Sequence, residues 1–162
     1  MDEVIIFGAR RLTAVMILVA LVFFLRLSCE KKKEILVFAI ITLPAIYLMA
    51  KLSSLFYYNP RPFVVEQFVP LIAHANNNGF PSDHTLLSAA VASVVFFFNK
   101  KLGAFLLILA LLVGTSRVLA GVHHAIDIAG SIVVAFVVSF LMYKFVLPVI
   151  SKSQFLKSIL KK

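Results

Sequence analysis

Residues 102–147, LGAFLLILALLVGTSRVLAGVHHAIDIAGSIVVAFVVSFLMYKFVL, hold two apolar runs joined by a short polar hinge. Each run, 102–122 and 125–147, reaches the length of about 20 residues at which a helix crosses a hydrocarbon core of about 30 Å. In lipid the backbone must satisfy its own hydrogen bonds, so such runs are read as helices. Working outward, three more runs share this character, at 12–27, 35–57 and 83–99. The last is short, and its first turn is expected at the membrane interface. Charged groups and a Pro-rich polar segment at 59–81 separate the runs. Apolar residues make up 62% of the chain and charged residues 14%, against about 45–50% and about 25% in soluble domains. The chain therefore reads as all-α, a polytopic transmembrane bundle of about five spanning helices, in one domain over residues 1–162. Pro44, inside the second run, lacks a backbone donor and is expected to kink that helix. The first run has no small-x-small cleavage site and is followed by Glu30-Lys31-Lys32-Lys33-Glu34, a stop-transfer pattern, so it is expected to be retained.

The net charge of +9 comes with no basic stripe of interleaved aromatics and no nucleic-acid motif, so a nucleic-acid partner is set aside. In a membrane chain the basic residues report sidedness. With five spans, one face holds Lys31, Lys32, Lys33, Lys100, Lys101, Lys152, Lys157, Lys161 and Lys162, with Arg26 and Lys144 close by. The other holds Arg10, Arg11, Lys51, Arg61 and Arg117. The first face is expected in the cytoplasm, which puts the N-terminus, the 59–81 segment and the 118–124 turn outside. The lone cysteine, Cys29, excludes an intrachain disulfide and reads as a small residue at a helix end.

Ionisable residues at the ends of membrane helices are costly and are functional candidates by default. Here they form three clusters, all mapped to the outer face: Lys51 with Arg61-Pro62; Pro81-Ser82-Asp83-His84; and Ser116-Arg117 with His123 and Asp127. Three cations, two histidines and a carboxylate at one depth suit an anion. Arg offers a planar fork to two phosphate oxygens. Ser82 stands where it can cap the third span, whose first N–H groups face an arriving anion. His123 and Asp127, four apart, meet on one face if they share a helix. A carboxylate on one imidazole nitrogen leaves the other free to attack phosphorus, and His84, from another helix, can protonate the departing oxygen.

Taken together, the three clusters resemble the three-part signature of the type-2 phosphatidic acid phosphatase superfamily: K-x6-RP, PSGH and SR-x5-H-x3-D. Ser116-Arg117, His123 and Asp127 match the third part without a gap. The resemblance covers a catalytic core at about 51–130. It implies a membrane lipid phosphatase with His123 as nucleophile, Asp127 as its orienter and His84 as general acid. Lys51, Arg61, Ser82, Asp83 and Arg117 are then placed in the substrate-binding set. No metal and no cofactor are expected, since cations and a helix terminus can stabilise the phosphoryl charge.

Two departures stand out. Asp83 occupies the usual Gly position, where a carboxylate repels phosphate and is expected to point away or cap the helix. Pro-Ser-Asp-His and the preceding Pro-Leu-Ile-Ala-His74-Ala resemble the bacitracin-resistance-type undecaprenyl diphosphate phosphatases. Nine residues rather than six separate Lys51 from Arg61, with Ser54 at the usual Lys position. The shift is close to one helical turn, about 4.5 Å of rise, which a lysine stem partly spans; the alternative for Lys51 is an interfacial anchor.

Other polar residues read as structural. His124 lies about 100° round a helix from its neighbour. His74 and Asn76-Asn77-Asn78-Gly79 read as a surface loop and turn, Glu66 as a solvated charge, and Phe96-Phe97-Phe98 as lipid-facing or core bulk. Small residues (Ser88, Ala89, Ala92, Ser93, Ala125, Ala129 and Gly130) would let helices approach closely.

The resemblance implies hydrolysis of a lipid phosphate or diphosphate at the outer face of a bacterial inner membrane, with undecaprenyl diphosphate ranked first. Lipid A 1-phosphatases and phosphatidylglycerophosphate phosphatases are the alternatives within the superfamily. A non-catalytic anion-binding membrane protein is the alternative outside it. A vanadate-dependent haloperoxidase shares the motif geometry but is normally large and soluble.

Overall fold

A computed structural model describes residues 1–152; Lys157, Lys161 and Lys162 of the sidedness argument lie outside the described residues. The elements are α1 (Asp2–Arg10), α2 (Leu12–Leu25), α3 (Cys29–Phe56), α4 (Pro62–Val65), α5 (Asp83–Phe98), α6 (Lys100–Leu119), α7 (Ala125–Leu141), a π-helical turn (Met142–Val146) and α8 (Leu147–Lys152). No strand occurs among the described residues, which agrees with an all-α bundle.

Among the described residues, three helical segments are by themselves long and apolar enough to span a membrane: Cys29–Phe56, Lys100–Leu119 and Ala125–Ile150. The pair α1–α2, bent by 49° at its break, is apolar enough to make a fourth if its two helices form one broken span. The apolar stretches of the three single spans are only 28%, 33% and 22% buried. Ile40, Leu48, Ile108, Leu111, Val133 and Val137 all face outward, and an apolar exterior of that extent needs lipid around it. The 16 residues of α5 extend only ~24 Å. This helix packs against α2, α3, α6 and α7 and is the most enclosed of the set, with Thr85, Ser88, Ala89, Ala92 and Ser93 buried. Being surrounded by protein, it has no need of full spanning length.

Local sequence explains the breaks. Asn99 leaves helical φ/ψ and its side chain accepts from Leu102 N at 3.0 Å, capping α6 and folding it back along α5. Gly103 allows the close approach: a Cβ there would stand 2.1 Å from Phe96 Cα. Pro44 lies inside α3, yet the helix continues from Cys29 to Phe56 through it; the kink expected from sequence does not end the helix, since only one intrahelical bond is lost.

The central core joins Met16, Ile46, Leu86, Ala89, Leu106, Val113 and Ala135. At one end Phe38, Phe97, Phe98 and Tyr143 form an aromatic cluster, with the Phe97 and Tyr143 rings stacked at 4.6 Å. The Phe run thus belongs in part to the packed interior. At the other end Ala9, Ile72, Ala120 and Val122 are buried together, tying α1 and the 66–82 loop to the end of α6. The site lies at this second end.

Candidate active site

His123 stands in the turn between α6 and α7, before the helix begins at Ala125, and it is 2% exposed. Its Nδ1 lies 3.2 Å from Asp127 Oδ2. The two residues do not meet as helical i and i+4 neighbours. His124 is the N-cap, and the Asp127 carboxylate reaches back to accept its backbone N–H at 2.9 Å, the carboxylate half of a capping box. That same oxygen receives His123. The capping turn makes the contact that sequence spacing had assigned to a helix face.

The other carboxylate oxygen accepts from Asn59 Nδ2 at 2.7 Å. With both oxygens held, the carboxylate is fixed, and it fixes the imidazole with Nδ1–H donating and Nε2 carrying the lone pair. Nε2 faces two guanidinium groups: Arg61 Nη1 at 3.2 Å and Arg117 Nη2 at 3.5 Å. Burial pushes the His123 pKa below the usual 6.5; the Asp127 hydrogen bond opposes this, and the charges of Arg61 and Arg117 add to it.

Both arginines are buried, Arg61 held by a side chain and a carbonyl and Arg117 by a carbonyl. Arg61, 3% exposed, donates from Nη1 to Val122 O at 2.8 Å and from Nε and Nη2 to Asn77 Oδ1 at 3.0 and 2.8 Å. Arg117, in the last turn of α6, donates from Nη1 to Ala9 O at 3.3 Å. Its buried Nε has no partner among the described residues, so one donor of a costly buried cation remains available to an anion.

Ser82 is fully buried at the N-cap of α5 with extended backbone, but its hydroxyl makes no cap hydrogen bond. It pairs with Thr85 Oγ1 at 3.1 Å, while its carbonyl accepts from Ser131 Oγ at 3.0 Å. The expected serine cap is replaced by a tie between α5 and α7, and the first-turn N–H groups keep no side-chain cap. His84, half-buried, lines a recess of about 330 Å³ with Arg10, Ile72, Ala73, His74, Ala75 and Arg117. His74 sits edge-on to His123, ring centroids 5.8 Å apart, its pKa pushed down to about 4 by burial first and then by the charge of Arg61.

Arg61, Arg117, His123 and Asp127 are thus brought into contact, with His84 on the wall of the adjoining recess. Lys51 and Asp83 stand beside this set rather than in contact with His123. Both are exposed and line a groove between α3 and α5 with Tyr47 and Leu86. The Lys51 ammonium lies 5.3 Å from the Tyr47 ring centroid. A second recess joins both to Asn77, Asn78 and Phe80.

Three asparagines escaped the sequence reading. Asn59 holds Asp127 and Asn77 holds Arg61, as above. Asn78 accepts from the N–H groups of Asn59 and Phe80 and donates to Ser54 O and Tyr57 O. Gly79 completes the packing: a Cβ there would stand 3.0 Å from both Asn59 O and Asp127 Oδ2. The signal was present as Asn76-Asn77-Asn78-Gly79, but a turn explained it fully without reference to Arg61. Among the described residues no cluster of three His, Cys, Asp or Glu side chains has metal-holding geometry.

A helical membrane bundle with a buried His–Asp pair and two arginines at the second imidazole nitrogen suits a phosphoryl group, and the family match that follows makes the chain a membrane phosphatase. Residues 35–150 match the PAP2 superfamily, and the chain belongs to that superfamily. It is 36% identical over 145 residues to a Bacillus subtilis (strain 168) protein named undecaprenyl-diphosphatase BcrC, covering 90% of this chain and 75% of that one. It is also 36% identical over 100 residues to the Bacillus licheniformis bacitracin transport permease protein BcrC, covering 61% of this chain and 49% of that one. Among solved structures, Aquifex aeolicus LpxE superposes with a TM-score of 0.70 at 23% identity, over 89% of this chain and 86% of that one, a likeness of fold.

Proposed function

We propose that this protein hydrolyses the terminal phosphate of a lipid diphosphate, undecaprenyl diphosphate first among candidates, at the outer face of a bacterial inner membrane and through a phosphohistidine. The carrying observation is His123 Nε2, flanked by Arg61 and Arg117 while Nδ1 is held by Asp127. The identity to a protein named for undecaprenyl diphosphate supports the choice of substrate.

In this reading the neutral Nε2 attacks the terminal phosphorus. A P–N bond forms as the bridging P–O bond breaks, and His84 gives its proton to the departing lipid phosphate. Asp127 stabilises the imidazolium that results. Arg61 and Arg117, with the uncapped start of α5 beside Ser82, stabilise the three equatorial oxygens. Water then attacks the phosphohistidine, giving its proton to His84, and inorganic phosphate leaves with His123 neutral again. Lys51 and Asp83 flank the neighbouring α3–α5 groove and serve the approach of the lipid rather than the transferred group.

Phosphate release from undecaprenyl diphosphate, lipid A and phosphatidylglycerophosphate by purified protein tests the reading, with His123→Ala as control. The few residues near the recess favour broad use of polar phosphates on a lipid anchor. A thousandfold preference for lipid A or phosphatidylglycerophosphate would overturn the substrate, and turnover surviving in His123→Ala would overturn the mechanism.

A further inference from the structure

The recess beyond His84 is lined by Arg10, Ile72, Ala73, His74, Ala75, His84 and Arg117. No carboxylate is among these lining residues. Arg117 is turned toward His123 and Arg61 is clamped by Asn77 and Val122 O, so both serve the phosphoryl group that is transferred. Arg10 is different. It is exposed at the end of α1, which leaves its guanidinium available in the recess mouth.

Its position is not accidental to a loose terminus. Gly8 lies so close to α6 that a Cβ there would stand 2.1 Å from Ser116 Oγ. Ala9 is 1% exposed and its carbonyl accepts from Arg117. These contacts fix the last turn of α1 against the last turn of α6, and Arg10 follows directly. The matched superfamily region begins at residue 35, so this wall of the site comes from a segment that precedes it. Arg10 also stands on the face where sidedness disfavours cations, which a binding role accounts for.

Resting on the reading of the reaction given above, we infer that Arg10 binds the second, lipid-linked phosphate of a diphosphate substrate and sets the preference for diphosphates over monophosphates. In-line displacement places the leaving oxygen opposite His123 Nε2, on the His84 side, and a diphosphate carries its second phosphate beyond that oxygen. The recess offers Arg10 there, with a planar fork suited to two of its oxygens. Lys51 does not compete for this role, because it lines the α3–α5 groove beside Asp83.

The test compares farnesyl diphosphate with farnesyl monophosphate, hydrolysed by purified full-length protein in detergent micelles. In Arg10→Gln the ratio of kcat/KM, diphosphate over monophosphate, is expected to fall at least tenfold, and Arg10→Lys should restore part of it. Arg11→Gln, whose side chain does not line the recess, should keep the wild-type ratio. Equal losses on both substrates in Arg10→Gln, an unchanged ratio, or the same shift in Arg11→Gln would each overturn the inference. Wild-type protein that hydrolyses neither substrate, or His123→Ala that hydrolyses both, would instead overturn the parent reading.

Discussion

His123 can act as a nucleophile only while Nε2 is unprotonated and Nδ1 is held, and Asp127 governs both conditions. Asp127→Asn puts an amide where a double acceptor stood, so Nδ1 loses its partner or takes the wrong tautomer; kcat is expected to fall by about 10³–10⁴-fold. The pH profile carries the sign. Protonated His123 cannot attack, so kcat/KM rises with pH through the His123 pKa, and burial places that limb below 6.5. Since the Asp127 hydrogen bond raises this pKa, Asp127→Asn should move the limb to still lower pH. A limb that stays put or moves up in pH–rate measurements would contradict the assignment. Asn77 acts one step away, through Arg61. Asn77→Ala removes the acceptor of two charged donors, a loss of order 1.5 kcal/mol, and kcat/KM should fall about tenfold in steady-state assays. An unchanged kcat/KM would mean that the carbonyls of Val122 and Asn78 suffice to position Arg61.

At the scale of elements, the distinction between legible and hidden features follows the range of the contacts. The apolar runs were legible because burial in lipid imposes a local pattern, and Asn99-Lys100-Lys101 punctuates α5 and α6 where the structure breaks them. The third cluster was legible because its residues cross one short turn. The Asn59, Asn77 and Asn78 ties were not, since they link residues 16 to 68 apart through irregular loop backbone, where no periodicity constrains a partner. Lys51 was ambiguous for a related reason: spacing to Arg61 runs through a helix end and a loop, and counting cannot say which way the stem leaves α3. The glycine contacts make the element scale testable. Gly103→Val drives a side chain into the Phe96 backbone far from the site, and overpacking of this kind costs about 1–3 kcal/mol. Thermal unfolding in detergent should shift down while the folded fraction keeps its kcat. Gly114→Val meets α7 instead, since a Cβ at residue 114 would stand 2.2 Å from Ile128 Cγ2, one turn from Arg117. It should lower kcat as well as the unfolding temperature, by parting α6 from α7 beneath the site. Equal kcat losses in the two variants would show that helix spacing is not transmitted locally.

For the whole molecule the open quantity is which end faces outward, and the site itself sharpens the charge argument. Positive-inside bias counts basic residues free to face either side. Arg61 and Arg117 are buried against His123, so their position reports the site and not the topology. Among the described residues, removing them turns five against eight into three, Arg10, Arg11 and Lys51, at the site end against Arg26, Lys31, Lys32, Lys33, Lys100, Lys101, Lys144 and Lys152 at the other. The bias is therefore stronger than the raw sequence suggested, and it favours a site that faces outside. Cys29, exposed beside the Lys run, reports the opposite end without any substitution. A membrane-impermeant maleimide applied to intact bacterial cells should leave Cys29 unlabelled until the membrane is permeabilised. In a Cys29→Ser background, a cysteine replacing the exposed loop residue Asn76 should label at once. The reverse pattern would put the recess in the cytoplasm, where a lipid phosphate displayed on the outer leaflet cannot reach His123.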